Sequence, residues 1–138
     1  MTANSEASAP VRDLVSLRLP ADGAYLAVLR TAAAGLASRL DFTLDDIEDL
    51  RIAVDEAVAM LLPRAADGAT LECSFELQPG ALRTSVTLDT ADGALPSRDT
   101  FAWTVLTALA GEVDASADGT TVTIAMTKRS SAGADVPA

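Results

Sequence analysis

Apolar residues recur along the chain with two different periods, and the switches between them mark its elements. The run Leu14-Val15-Ser16-Leu17-Arg18-Leu19 predicts a first strand, which Pro20 ends. Asp22 is placed to cap a helix in which Leu26, Leu29, Ala33, Leu36 and Leu40 recur every three or four residues. Thr43 opens a stronger helical signal. Asp45 and Asp46 lie in its first turn, where the helix dipole favours negative charge, and Asp46 stands at the capping-box offset. Ile47, Leu50, Val54, Ala57, Val58 and Leu61 form its apolar stripe, and Pro63 should end it.

The period then drops to two. Leu71, Cys73, Phe75 and Leu77 alternate with Glu72, Ser74, Glu76 and Gln78, Pro79-Gly80 supplies a two-residue turn, and Leu82, Val86 and Leu88 continue on the return strand. Asp89 to Asp99 is a polar loop. Phe101 to Leu109 reads as a short helix with Gly111 near its end, Val113 to Ala115 as a strand, Asp118-Gly119 as a turn and Thr121 to Met126 as the last strand. The order β-α-α-β-β-α-β-β predicts an α/β fold, a two-layer α/β sandwich with a mostly antiparallel sheet and helices on one face.

Composition narrows the class. The 138 residues suit one domain, expected to span 11–128 between loose tails at 1–10 and 129–138. With 49% apolar but only 4% aromatic residues, the core must be built from Leu, Val, Ile and Ala. One cysteine rules out an internal disulfide and suits a reducing cytosol, and Cys73 sits on the buried face of its strand as core filler. No secretory leader pattern and no long uncharged apolar run is visible, so a cytoplasmic protein without a membrane span is expected. Ten Lys and Arg are scattered against twenty Asp and Glu, a net charge of −10, which repels nucleic acid and reads first as a device for solubility and second as suiting a basic partner. There is no histidine, so any chemistry must rest on carboxylates, lysine, hydroxyls or the one thiol.

One carboxylate stands out. In DLRIAVDEAVAMLLPR, Asp49 to Arg64, Glu56 and Met60 are four residues apart and share one helix face. The stretch Ile47 to Val58, with its Ala-Val-x-Glu-Ala-Val run, resembles the N-box helix of the GHKL ATPase (Bergerat) fold as used by RsbW-type anti-sigma factor serine kinases. Phe101 to Val113 is similar to the helix after the ATP lid, closest to an actinobacterial, UsfX-like subgroup. The resemblance covers roughly Leu14 to Lys128.

In that family the N-box Glu is the general base and an Asn four residues on holds Mg²⁺. The resemblance therefore gives Glu56 the base position, as a catalytic residue only if the kinase is active, and puts Met60 where the metal ligand belongs. A thioether is a poor partner for Mg²⁺, which demands oxygen, so no metal site is expected. Arg64, where the family often has His, is neither ligand nor base. The Asp-x-Gly-x-Gly box corresponds to Asp89-Thr90-Ala91-Asp92-Gly93, with Ala91 replacing a glycine. The phosphate-cradling Gly-x-Gly corresponds to Thr100-Phe101-Ala102, after a very short lid.

These departures imply a degenerate kinase site. Glu56, Met60, Asp89, Gly93 and Trp103 are then candidates for binding a ligand that needs no Mg²⁺-triphosphate cradle, such as a nucleotide-like molecule or nucleotide-sugar. Asp89 reads equally as a turn former, and Trp103 with Phe101 as core or as an interface. The implied function is an anti-sigma factor of a stress or developmental response. It would sequester an alternative sigma factor and be released by a STAS-domain anti-anti-sigma factor or a small effector. The alternatives are an active serine kinase acting on that STAS-domain protein, and a sensor unrelated to transcription. The family also suggests a homodimer seam on the first helix, although Leu26 and Leu29 are equally explained by packing on the sheet.

Overall fold

The structure, a computed structural model, describes residues 13–132. Its strands are β1 (Asp13–Pro20), β2 (Thr70–Gln78), β3 (Ala81–Asp89), β4 (Glu112–Asp118) and β5 (Thr121–Arg129); its helices are α1 (Leu26–Ala37), α2 (Leu44–Leu61) and α3 (Phe101–Ala110). The strands form one sheet in the order β1-β2-β3-β5-β4, with every neighbouring pair antiparallel. The fold is thus the α/β architecture that the residue pattern predicts.

Register explains why one face of the sheet is greasy. Leu17 pairs with Cys73, Cys73 with Val86, Val86 with Ile124 and Ile124 with Ala115, so a single row crosses all five strands. The three helices cover that face, with α2 packed between α1 and α3. Leu50, Val54 and Leu61 of α2 are fully buried with Leu29, Leu106, Phe75 and Ile124. Each such side chain contributes roughly 1.5–3 kcal/mol by leaving water. The opposite face is polar: Thr87 and Thr123 share a 2.9 Å hydroxyl hydrogen bond, and Arg18 meets Glu72 at 3.5 Å.

The start of α2 is tied in from both sides. The Thr43 hydroxyl accepts from the Asp46 N–H and an Asp46 carboxylate oxygen accepts from the Thr43 N–H, each at 3.1 Å, which is the expected capping box. The same carboxylate oxygen accepts the Ser131 N–H at 2.8 Å and the Ser131 hydroxyl at 2.9 Å. Burial pushes the Asp46 carboxyl up, but the Ser131 and Thr43 hydrogen bonds to its ionised form outweigh this and hold it below the ordinary carboxylate range.

Several boundaries shift. The Asp22 carboxylate caps a short 3₁₀ turn, Gly23–Tyr25, and α1 follows from Leu26. Helix α2 stops at Leu61, and Pro63 sits inside a 3₁₀ turn, Leu62–Arg64. Strand β4 is longer than Val113 to Ala115, running from Glu112 to Asp118. Strand β5 reaches Arg129, and Ser130 and Ser131, expected in the tail, bond Asp41 and Asp46. The rest of the expected tails, 1–10 and 133–138, lie outside the described residues, as do positions 11 and 12. No helix among the described residues is long and apolar enough to cross a membrane.

Candidate functional site

A cavity of about 300 Å³ opens between the C-terminal half of α2 and the loop that leads into α3. Glu56, Ala59, Met60 and Arg64 form the helical wall. Ala59 and Met60, three and four residues after Glu56, share its side of α2, next to the stripe that enters the core, and Arg64 follows from the 3₁₀ turn after the helix. Pro96, Ser97, Thr100 and Ala102 form the facing wall. Glu56 is half-buried, and no hydrogen bond or ion pair reaches its carboxylate among the described residues. Its neighbour Asp55 turns toward α1 instead and meets Arg30 at 3.2 Å.

The loop after β3 is fixed by two sets of bonds. On one side, the Ala66 N–H donates to the Asp89 carbonyl at 2.9 Å and the Ala91 N–H to the Arg64 carbonyl at 3.1 Å, a short bridge between the chain after α2 and the end of β3. The Arg64 guanidinium then donates to the Ala94 carbonyl at 2.8 Å. On the other side, Thr90 is buried: its N–H and hydroxyl both donate to the Thr120 carbonyl, at 2.9 and 2.7 Å, and its hydroxyl accepts the Gly93 N–H at 2.9 Å.

Further along, Arg98 meets Asp114 at 2.9 Å and lies 4.9 Å above the Trp103 ring. The Asp114 carboxyl is held below its ordinary value, chiefly by the Arg98 hydrogen bond. Thr100 caps α3, its hydroxyl accepting the Trp103 N–H at 3.1 Å.

Of the residues singled out from sequence, Glu56 and Met60 come together on the cavity wall, and three others do not join them. The Asp89 carboxylate accepts the Thr120 hydroxyl at 2.6 Å, so it faces the β4–β5 turn rather than sharing the pocket with Glu56. Gly93 is a glycine for a packing reason. It has a φ of +71°, and a Cβ there would collide with the Gly119 carbonyl oxygen. Trp103 is 7% exposed and belongs to the core, while Phe101 two residues earlier is 82% exposed. Ala59 and Ser97 also line the cavity, and neither is a candidate by sequence. Ala59 could have been found at the i+3 position from Glu56; Ser97 carried no signal. Cys73 is buried, and desolvation pushes its thiol up to about 12, which keeps it unreactive.

No family model matches the chain. Over 76 residues it is 37% identical to a serine-protein kinase RsbW of Halalkalibacterium halodurans, a match covering 54% of this chain and 47% of that protein. Over 45 residues it is 47% identical to a serine-protein kinase RsbW of Bacillus velezensis, covering 33% of this chain and 28% of that one. The matched region therefore spans less than half the length of these relatives. Among solved structures, the RsbU and RsbW domains of a Mycobacterium tuberculosis protein superpose with a TM-score of 0.68 at 19% identity, covering 88% of this chain and 33% of that one. That likeness establishes an RsbW/GHKL-like fold.

Proposed function

We propose that this chain is an anti-sigma factor that binds and occludes an alternative sigma factor in the cytoplasm without transferring phosphate. One observation carries the second half of that reading: Met60 lies on the cavity wall beside Glu56. Phosphoryl transfer depends almost wholly on positioning and on charge neutralisation by Mg²⁺, and a thioether supplies neither. The facing wall agrees, because α3 begins with Thr100, Phe101 and Ala102 instead of glycines that would let phosphate approach the backbone. The residues present do not fit a Mg²⁺-triphosphate.

The sigma-binding half is supported by the likeness to RsbW proteins and by the charge of −10, which would steer the chain toward a basic partner surface. Release then requires a STAS-domain anti-anti-sigma factor phosphorylated elsewhere, or a small effector in the cavity. Co-purification of the tagged protein with partner identification by mass spectrometry tests this. A sigma factor should dominate the eluate, and its absence would refute the reading.

A second reading is favoured by the printed name of the relatives, serine-protein kinase RsbW, and by the unengaged carboxylate of Glu56. It makes the chain a kinase of the anti-anti-sigma factor, with Glu56 taking the proton of the acceptor hydroxyl. Incubation with labelled ATP, Mg²⁺ and that partner separates the two. Transfer that Glu56→Ala abolishes would establish the kinase.

A further inference from the structure

The polar side chains that line the cavity have hydrogen-bond partners, with one exception. The Ser97 hydroxyl accepts the Asp99 N–H at 3.2 Å, and the Thr100 hydroxyl donates to the Ser97 carbonyl at 3.3 Å while it caps Trp103. Arg64 is hydrogen-bonded to Ala94. Of these lining side chains, Glu56 makes no hydrogen bond or ion pair among the described residues, and it shares the cavity with the hydrocarbon and thioether groups of Ala59, Met60, Pro96 and Ala102.

An ionised carboxylate can only accept hydrogen bonds, and its strongest partners are cationic N–H groups. We propose that this cavity binds a small organic amine, with its ammonium on Glu56 and its hydrocarbon body against Met60, Ala59, Pro96 and Ala102. The volume of about 300 Å³ lies at the small end of ligand pockets, which suits a ligand of few heavy atoms. Met60 is well suited to such a body, since its flexible and polarisable side chain moulds to irregular apolar shapes. The overall charge of −10 raises the local concentration of cations and repels polyanions.

Among the described residues Arg64 is the one cation lining the cavity, and no ion pair joins it to Glu56. It lies eight residues further along, past the end of α2, roughly 13 Å by the rise of the α and 3₁₀ segments, exposed to water and held by the Ala94 carbonyl. The two groups define opposite ends, so the ammonium has one favourable place to go.

The inference rests on the cavity being the effector site of the proposed regulator. Binding is measured on the isolated chain, so its failure leaves sigma binding standing, and failure of sigma binding leaves it untouched. The probes are butylamine, benzylamine and agmatine at neutral pH, with benzyl alcohol as the uncharged counterpart of benzylamine and Mg²⁺-ATP as the polyanion. Amide-shift titration by NMR gives the affinities.

At least one amine should saturate, with shifts centred on Glu56 to Arg64 and Pro96 to Ala102. Glu56→Gln should weaken that amine by at least about tenfold, the loss of one charge-assisted hydrogen bond, and leave its melting curve unchanged. If benzylamine is the binder, benzyl alcohol should bind at least about tenfold more weakly for the same reason. Ala59→Phe, which fills the cavity while keeping the carboxylate, should abolish binding. No saturation by any of the three amines up to about 20 mM, beyond the range of even a weak specific site, would overturn the proposal. So would binding unaffected by Glu56→Gln, or tighter binding of Mg²⁺-ATP than of every amine.

Discussion

Replacing Asp46 with alanine gives the sharpest test of how this fold is held together. Asp46 is 4% exposed, and one of its carboxylate oxygens accepts three hydrogen bonds, from the Thr43 N–H, the Ser131 N–H and the Ser131 hydroxyl. A hydrogen bond to a charged group is worth about 1.5–3 kcal/mol, but bonds that share an acceptor are not additive, so Asp46→Ala should cost about 2–3 kcal/mol. With a urea slope of about 1.5–2 kcal/mol per molar for a domain of this size, the unfolding midpoint should fall by about 1–2 M.

The pH dependence has a definite sign. The folded-state carboxyl is held below its ordinary value, so its contribution is fully present above the unfolded-state value and disappears as pH falls through the lower folded one. The gap between wild type and Asp46→Ala, measured in urea at each pH, should be constant from neutral pH to about pH 5 and narrow below about pH 4. Equal midpoints at neutral pH, or a gap that stays constant down to about pH 2, would refute the account.

Other perturbations separate packing from exposure. Gly93→Ala should destabilise by about 2–3 kcal/mol, from strain at positive φ plus collision with Gly119. Gly68→Ala, at φ +72° with open space around it, should cost only about 1 kcal/mol; chemical denaturation compares the two. Trp103→Ala should lose about 3–5 kcal/mol, whereas Phe101→Ala should stay within about 0.5 kcal/mol, both read from thermal unfolding. The Cys73 thiol should be silent to an aromatic disulfide reagent in the native protein at pH 8 and titrate fully in denaturant; rapid native reaction would show that the strand is not packed as described.

What could be read in advance was local. Thr43 and Asp46 are neighbours in sequence, so the capping box needed no tertiary information. The β2–β3 hairpin announces itself through strict alternation and a Pro-Gly turn, where Gly80 takes a φ of +70°. Strand β4 was shortened because only Ala115 along it is buried; Ser116, Ala117 and Asp118 show no apolar alternation. The placing of β5 between β3 and β4 depends on long-range pairing that no short stretch encodes.

The candidate site divides in the same way. Glu56 and Met60 share a wall because helical spacing demands it. Asp89 was assigned to that pocket, but a hydroxyl at Thr120 holds its carboxylate elsewhere. Gly93 is a ligand-binding candidate by sequence, yet the backbone that comes close to it is the protein's own, at Gly119. The Ser131 bonds to Asp46 join residues far apart in sequence, and nothing in either segment foretold them.

Arg64 holds the chain after β3 at two points, Ala91 through its own carbonyl and Ala94 through its guanidinium. The first part of the loop after β3, Ala91 to Ala94, is thus tied to the chain that follows α2. Swinging it away must break both hydrogen bonds, at a net cost of about 1–3 kcal/mol, so its opening is coupled to the end of α2.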